Sequence, residues 1–97
     1  MKKPGECLSI DEVREEIDTV DKEIINLLGK RLLYIRRIVR FKKNEEDVMA
    51  RKRYTQVLQA RRKWAFEQGI DPDIIENVYR TLMQYFIDEQ KKIMKIN

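Results

Sequence analysis

Apolar residues in the first third of the chain recur at alternating intervals of three and four positions, at Ile10, Val13, Ile17, Val20, Ile24 and Leu27. This spacing is typical of a helix that packs along a continuous seam. Ser9 precedes the pattern, and Glu12 lies three positions after Ser9, which is the spacing of a capping box. We therefore predict one very long first helix, from about residue 9 to 42.

The middle of the chain predicts a loop and then a second helix. Residues 43–50 are charged and weakly patterned, which favours a loop. A helix is predicted over about 51–68, and Gly69 suits a left-handed stop at its end. The apolar face of this helix is predicted to comprise Val57, Ala60 and Trp64.

The last quarter of the chain carries clear signals for the start of a third helix. Asp71 suits the N-cap and Pro72 the first helical position, so the helix is predicted over about 71–95. Its apolar stripe is Ile75, Tyr79, Leu82, Phe86, position 90 and Ile93. No strand-like alternation persists, so we expect an all-α chain of three helices forming a single domain over residues 1–97.

The length of the first helix points to a second copy of the chain. A helix over residues 9–42 would be roughly 50 Å long, whereas a compact chain of this size has a radius of gyration of about 13 Å. The helix must either break, near Gly29, or pack against another chain, and we favour a dimer. Residues 11–23 hold seven acids and two bases, while residues 24–44 hold seven bases and no acid. This charge pattern suits an antiparallel neighbour of the same sequence.

Composition excludes several kinds of chemistry. Hydrophobic residues make up 42% and charged residues 39% of the chain, with a net charge of +4, so a folded domain is expected. The chain has no histidine and one cysteine, Cys7, which excludes a Ser-His-Asp triad, a Cys-His pair and a disulfide framework. No apolar run approaches the roughly 18 residues of a membrane span, and residues 1–6 lack the apolar run of a signal peptide. We expect a cytoplasmic protein.

Several polar residues occupy positions where an apolar residue is expected. Arg31 lies on the seam of the first helix, and Lys42 would share its face, three turns and roughly 16 Å further along. Gln90 falls in the stripe of the third helix, and Arg53 lies one turn before the apolar face of the second. Each alone has an ordinary explanation. The aliphatic part of a long side chain can lie along an apolar surface while its charge reaches water, or the residue can lie at the solvent-exposed surface. Together they indicate an apolar pocket with cations at its corners and one amide, suited to a reaction that needs shape and electrostatics.

These features resemble the all-helical chorismate mutase family, in particular its isochorismate pyruvate-lyase branch. The likeness extends from Cys7 to about Met94. The residues that carry it are Val13-Arg14-Glu15-Glu16-Ile17-Asp18, Asp21, Leu28-Gly29-Lys30-Arg31, Tyr34, Arg40-Phe41-Lys42, Arg53, Gly69-Ile70-Asp71 and Phe86-Ile87-Asp88-Glu89-Gln90.

The resemblance implies an intertwined helical homodimer with two active sites, each built from both chains. It implies that Arg14 of the partner chain and Arg31 bind the two carboxylates of a small dicarboxylate, chorismate or isochorismate. Lys42 and Gln90 would donate to the ether oxygen of the breaking C–O bond, and Arg53 would assist on the ring side. The loop 43–50 would close over the ligand. No cofactor, nucleic acid or membrane is implied.

One departure from the dedicated mutases favours the lyase branch. Those enzymes have a glutamate after the helix-two arginine, where it contacts the ring hydroxyl of chorismate, whereas here Arg53 is followed by Tyr54. We therefore favour conversion of isochorismate to salicylate and pyruvate, with conversion of chorismate to prephenate secondary or retained. A dedicated chorismate mutase of aromatic amino-acid biosynthesis is the alternative.

Two hypotheses from other functional classes stay open at this point. A basic helical module could bind nucleic acid through residues 30–43, with an affinity that falls steeply as salt rises. A non-catalytic dimeric helical protein would merely tolerate the polar seam residues, and replacing Arg31 with leucine would then stabilise it.

Overall fold

A computed structural model of the chain describes residues 1–96. Its elements in chain order are a 3₁₀ turn at Pro4–Glu6, α1 at Ile10–Ile38, a 3₁₀ turn at Val39–Phe41, α2 at Glu45–Met49, α3 at Arg51–Glu67 and α4 at Pro72–Met94. No strand occurs in the part of the chain that is described. The predicted all-α fold with a long first helix is confirmed. Within residues 1–96, no helix has the length and apolar character of a membrane span.

The chain divides into two compact units, residues 1–34 and residues 35 onward. In the first unit, Ser9 caps α1 as predicted, whereas the Glu12 carboxylate reaches back to Leu8, the residue before the cap. The N–H of Glu12 donates to Ser9 Oγ over 3.1 Å, and the Glu12 carboxylate accepts from the N–H of Leu8. Lys2 Nζ lies 2.7 Å from the same carboxylate, and this hydrogen bond, followed by that of Leu8, lowers the pKa of Glu12. The N-terminal segment is thereby tied to the first turn of α1.

The apolar seam of α1 remains exposed in the single chain. None of the 29 residues of α1 is fully buried, and Ile17 and Leu27 keep 52% and 59% of their surfaces exposed. The helix continues through Gly29 without a break. Of the two outcomes expected from its length, a break near Gly29 is therefore wrong.

The end of α1 differs from the prediction. The α-helix stops at Ile38, a 3₁₀ turn follows at Val39–Phe41, and Lys42 is extended, with φ −96° and ψ 140°. The expectation that Arg31 and Lys42 share a helical face is therefore wrong, because the tighter 3₁₀ turn changes the register and Lys42 lies outside the helix.

The predicted loop 43–50 contains the short helix α2, which is a further correction. Asn44 caps it by accepting from the N–H of Asp47 over 3.0 Å, and Val48 is buried with 2% of its surface exposed. The helix ends at Ala50, whose φ of 42° is left-handed. Five residues are too few to form a stable helix alone, so α2 depends on its packing against α4.

In the second unit, α3 and α4 pack against each other and form most of the core. The chain turns between them at Gly69, which has the predicted left-handed φ of 73°. Asp71 caps α4 by accepting from the N–H of Asp73 over 2.9 Å. The core residues with less than a tenth of their surface exposed are Val48, Val57, Leu58, Ala65, Met83, Phe86 and Ile87.

The buried face of α3 is rotated from the predicted one. Val57 is buried as expected, but Ala60 is only half-buried and Trp64 is 51% exposed. Leu58 and Ala65 are buried instead. The guanidinium of Arg61 lies 4.5 Å from the centre of the Trp64 ring, and this cation–π contact accommodates the indole at the surface.

Candidate active site

Gln90 is a polar residue held within the apolar face of α4. Only 5% of its surface is exposed, and Phe86 and Ile87 are buried on the preceding turn. Its Oε1 atom is buried and has no hydrogen-bond partner among residues 1–96. Leaving a buried polar group unpaired costs about 1–3 kcal/mol, and such groups are rare in folded proteins. The amide oxygen of Gln90 is therefore an unused hydrogen-bond acceptor in an apolar setting.

Lys42 lies immediately after the 3₁₀ turn that packs against α4. It is half-buried, and its Nζ donates to the backbone carbonyl of Asp47. A neutral carbonyl orients the ammonium without cancelling its charge. The structure thus places Lys42 and Gln90 in the same unit, on neighbouring elements.

The segment after Lys42 is fixed by reciprocal hydrogen bonds. The Asp47 carboxylate accepts from the N–H of Lys43 over 2.8 Å, while the N–H of Asp47 donates to Asn44. Asp47 thus holds both ends of the turn from Lys42 into α2. Sequence reasoning missed this residue, although the spacing of Asn44 and Asp47 is that of a helix N-cap and its third residue.

An ion pair also joins α2 to α4. Lys91 Nζ lies 3.1 Å from Glu45 Oε1, and the lysine side chain is only 22% exposed. Sequence reasoning missed this pair as well, because no local pattern relates two residues that are so far apart along the chain.

Arg53 and Tyr54 occupy the first turn of α3. Arg53 is exposed, so it does not share the burial of Val57 on the following turn. Tyr54 is half-buried and packs against the core cluster that contains Val57 and Met83. Tyr54 therefore contributes to the contact between α3 and α4.

Arg14 and Arg31 belong to α1 in the first unit. Arg14 is exposed and Arg31 is half-buried. They are 17 positions apart, which on one continuous helix means about 25 Å along the axis and roughly 100° around it. Two side chains of one α1 helix cannot span that separation to touch a single small ligand.

No group of three or more histidine, cysteine or acidic side chains is arranged to hold a metal ion among residues 1–96. The second unit contains the Lys42 ammonium and the Gln90 amide, on neighbouring elements. Such a pair can donate hydrogen bonds to a developing negative charge.

Known proteins share similarity with most of this chain. The sequence model of the family described as chorismate mutase type II matches residues 13–91, which is most of the chain. The chain is 35% identical over 92 residues to the isochorismate pyruvate lyase of Pseudomonas aeruginosa, covering 95% of this chain and 91% of that protein. It is 36% identical to the T-proteins of Haemophilus influenzae over 77 residues and of Enterobacter agglomerans over 73 residues, 78% and 74% of this chain. It spans only 20% of the length of each T-protein. The chain belongs to the chorismate mutase type II family.

Proposed function

We propose that this protein is an enzyme that converts isochorismate into salicylate and pyruvate, with conversion of chorismate into prephenate as a secondary activity. The observation that carries the proposal is the 35% identity to an isochorismate pyruvate lyase over nearly the full length of both chains. Membership of the chorismate mutase family supports the secondary activity and the general class of substrate.

The chemistry of this reaction matches the residues of the second unit. Forming salicylate and pyruvate breaks the ether C–O bond and moves one hydrogen from the ring to the methylene carbon of the enolpyruvyl group. Both changes can occur within the substrate, so no nucleophile or external base is required. Negative charge grows on the ether oxygen as its bond to the ring breaks. Lys42 and Gln90 are proposed as the donors that stabilise this charge more in the transition state than in the ground state.

The two substrate carboxylates call for further cations. Arg14 and Arg31 are proposed to bind them, because the planar guanidinium forms paired hydrogen bonds with a carboxylate. Since one α1 helix cannot bring both to a single small ligand, the two arginines are proposed to come from different chains of a homodimer. The exposed seam of α1 supports this assembly, and so do its acidic first half and basic second half.

The first turn of α3 bears on the choice between the two substrates. Arg53 is exposed and is proposed to approach the ring side of the ligand. Tyr54 offers no carboxylate, and its side chain packs against the core cluster that contains Val57 and Met83. Position 54 therefore lacks the acceptor with which a dedicated mutase would hold the ring hydroxyl of chorismate. The alternative, a dedicated chorismate mutase, is favoured by the description of the matching family.

The test is incubation of the purified protein with each substrate separately. Salicylate is read by its fluorescence and prephenate by its conversion to phenylpyruvate. We expect salicylate from isochorismate at a kcat/KM above that for prephenate formation from chorismate. Prephenate formation alone would support the dedicated mutase, and turnover of neither substrate would exclude both enzymes.

A further inference from the structure

The ion pair between Glu45 and Lys91 connects α2, which begins three residues after Lys42, with α4, which carries Gln90. Glu45 opens α2, the helix that follows Lys42, and Lys91 follows Gln90 directly on α4. The Nζ–Oε1 distance is 3.1 Å, and the side chains are 22% exposed for Lys91 and 56% for Glu45. Neither residue is among those proposed to touch the substrate.

The position of Lys42 depends on α2. Its Nζ donates to the carbonyl of Asp47 within α2, and the Asp47 carboxylate holds the N–H of Lys43. A movement of α2 away from α4 would therefore carry the Lys42 ammonium with it. With five residues, α2 has little stability of its own, so its contacts with α4 determine where it lies.

Only a few contacts are available to fasten so short a helix. Val48 supplies the buried apolar contact of α2, and the Glu45–Lys91 pair supplies an electrostatic one. A second ion pair, Glu46 to Arg51, also involves α2, with an Nε–Oε1 distance of 3.2 Å. Its side chains are 72% and 74% exposed, and pairs of that kind contribute little. It runs from α2 to the start of α3 and does not reach α4.

We propose that the Glu45–Lys91 ion pair is a latch that fastens α2 to α4 and thereby positions Lys42 relative to the helix that carries Gln90. Glu45 and Lys91 are positioning residues that act through Lys42. The assignment of Lys42 to the chemistry rests on the proposed function, whereas the fastening of α2 does not. The pair borders a surface pocket of about 480 Å³, so dissolved ions reach it and high salt weakens the latch.

The experiment reverses the charges one at a time and then together. In Glu45→Lys, two like charges replace an attractive pair, and amide hydrogen exchange across residues 43–50 should accelerate about five- to tenfold. The value of kcat for isochorismate should fall by a similar factor. KM should change less than about twofold, because the arginines proposed to bind the substrate carboxylates remain. Lys91→Glu should change amide exchange and kcat in the same direction and by similar factors. The double variant Glu45→Lys with Lys91→Glu should restore both measurements to within about twofold of the parent.

Glu46→Lys is the matched control. It makes the same substitution at the adjacent residue of α2, breaks the exposed pair with Arg51 and should leave exchange and kcat within about twofold of the parent. If either charge reversal prevents folding, Glu45→Gln removes the charge alone and should accelerate exchange about two- to threefold.

The exchange measurement separates the latch from the proposed function. Faster exchange in each single variant, restored by the double variant, supports the latch even if the parent protein turns over neither substrate. Exchange that is unchanged in the single variants, or not restored by the double variant, overturns it. A kcat that stays at the parent level while exchange accelerates would overturn the positioning of Lys42.

Discussion

Lys42 and Gln90, which are proposed to donate to one developing charge, are two different kinds of donor. The ammonium of Lys42 carries a full charge on a flexible stem, and its bond to the Asp47 carbonyl restricts that stem. The amide of Gln90 is neutral and is held by burial in α4. A flexible cation and a rigid amide should therefore respond differently to substitution.

Lys42→Ala should lower kcat by at least about 10²-fold, the scale for removing one donor to a developing charge. KM should change much less, because the proposed carboxylate ligands are untouched. Steady-state kinetics with isochorismate measures both values. Lys43→Ala is the control, since Lys43 is exposed and only its backbone N–H bonds Asp47. Near-normal kcat with a strongly raised KM in Lys42→Ala would make Lys42 a carboxylate ligand.

Gln90→Glu should convert a pH-independent donor into one that works only when protonated. At neutral pH its carboxylate would repel the charge on the ether oxygen, so kcat should be low. As pH falls, the protonated side chain donates again and kcat should recover.

The comparison for Gln90→Glu is the pH profile of Gln90→Leu. Leucine has a similar volume and no hydrogen-bond donor, so the activity of Gln90→Leu should be low at every pH. If Gln90→Glu follows the parent profile, Gln90 does not contact the reacting oxygen.

At the scale of elements, the sequence predicted best where the signals are local. Asp71, Pro72 and Gly69 specify the turn from α3 into α4 by their own conformational preferences, and the structure has all three in the predicted roles. The apolar spacing of α1 likewise depends only on neighbours within the helix. These features were predictable because each arises from residues within one or two turns of one another.

The predictions that failed depend on contacts between distant residues. The helix α2 is stabilised by packing on α4 and not by its own sequence. Its charged, weakly patterned residues therefore led to the prediction of a loop. The face of α3 was misjudged at Trp64, because Arg61 covers that ring at the surface. The burial of Gln90 was predictable from the stripe of α4, whereas the latch at Glu45 was not.

Gly69→Ala should destabilise the second unit. The left-handed φ of 73° at this position is accessible to glycine without strain and costs an alanine about 1 kcal/mol. For a domain of this size that corresponds to a fall in Tm of about 4–8 °C, measured by thermal unfolding. Gly69→Asn should lose less, since asparagine tolerates this conformation better. An equal loss in both variants would show that conformation is not the cause.

At the scale of the whole molecule, the proposed active site needs more than one chain. Arg14 and Arg31 lie about 25 Å apart along α1, and the seam between them is exposed. The apolar spacing and charge pattern of α1 favour a second copy of the chain, but they do not fix which residues of the two copies meet.

Mixed dimers test this assembly directly. Arg14→Ala and Arg31→Ala should each nearly abolish activity as homodimers, because every site loses one carboxylate ligand. Mixing and re-pairing the two variants should give about half mixed dimers, each with one unaltered site and one doubly altered site. Activity should therefore return to about a quarter of the parent level. Mixed dimers that are verified by mass but inactive would show that the two arginines do not serve one site across an interface.

The exposed seam of α1 has a consequence for how the protein behaves on dilution. In the proposed dimer a second chain buries that seam, so the population of intact sites follows mass action. Below the dissociation constant of the dimer, the number of sites would rise with the square of the protein concentration. A cell that halves its supply of this chain would then lose more than half of the activity. An assay at low protein concentration would likewise give a lower activity per chain than an assay at high concentration.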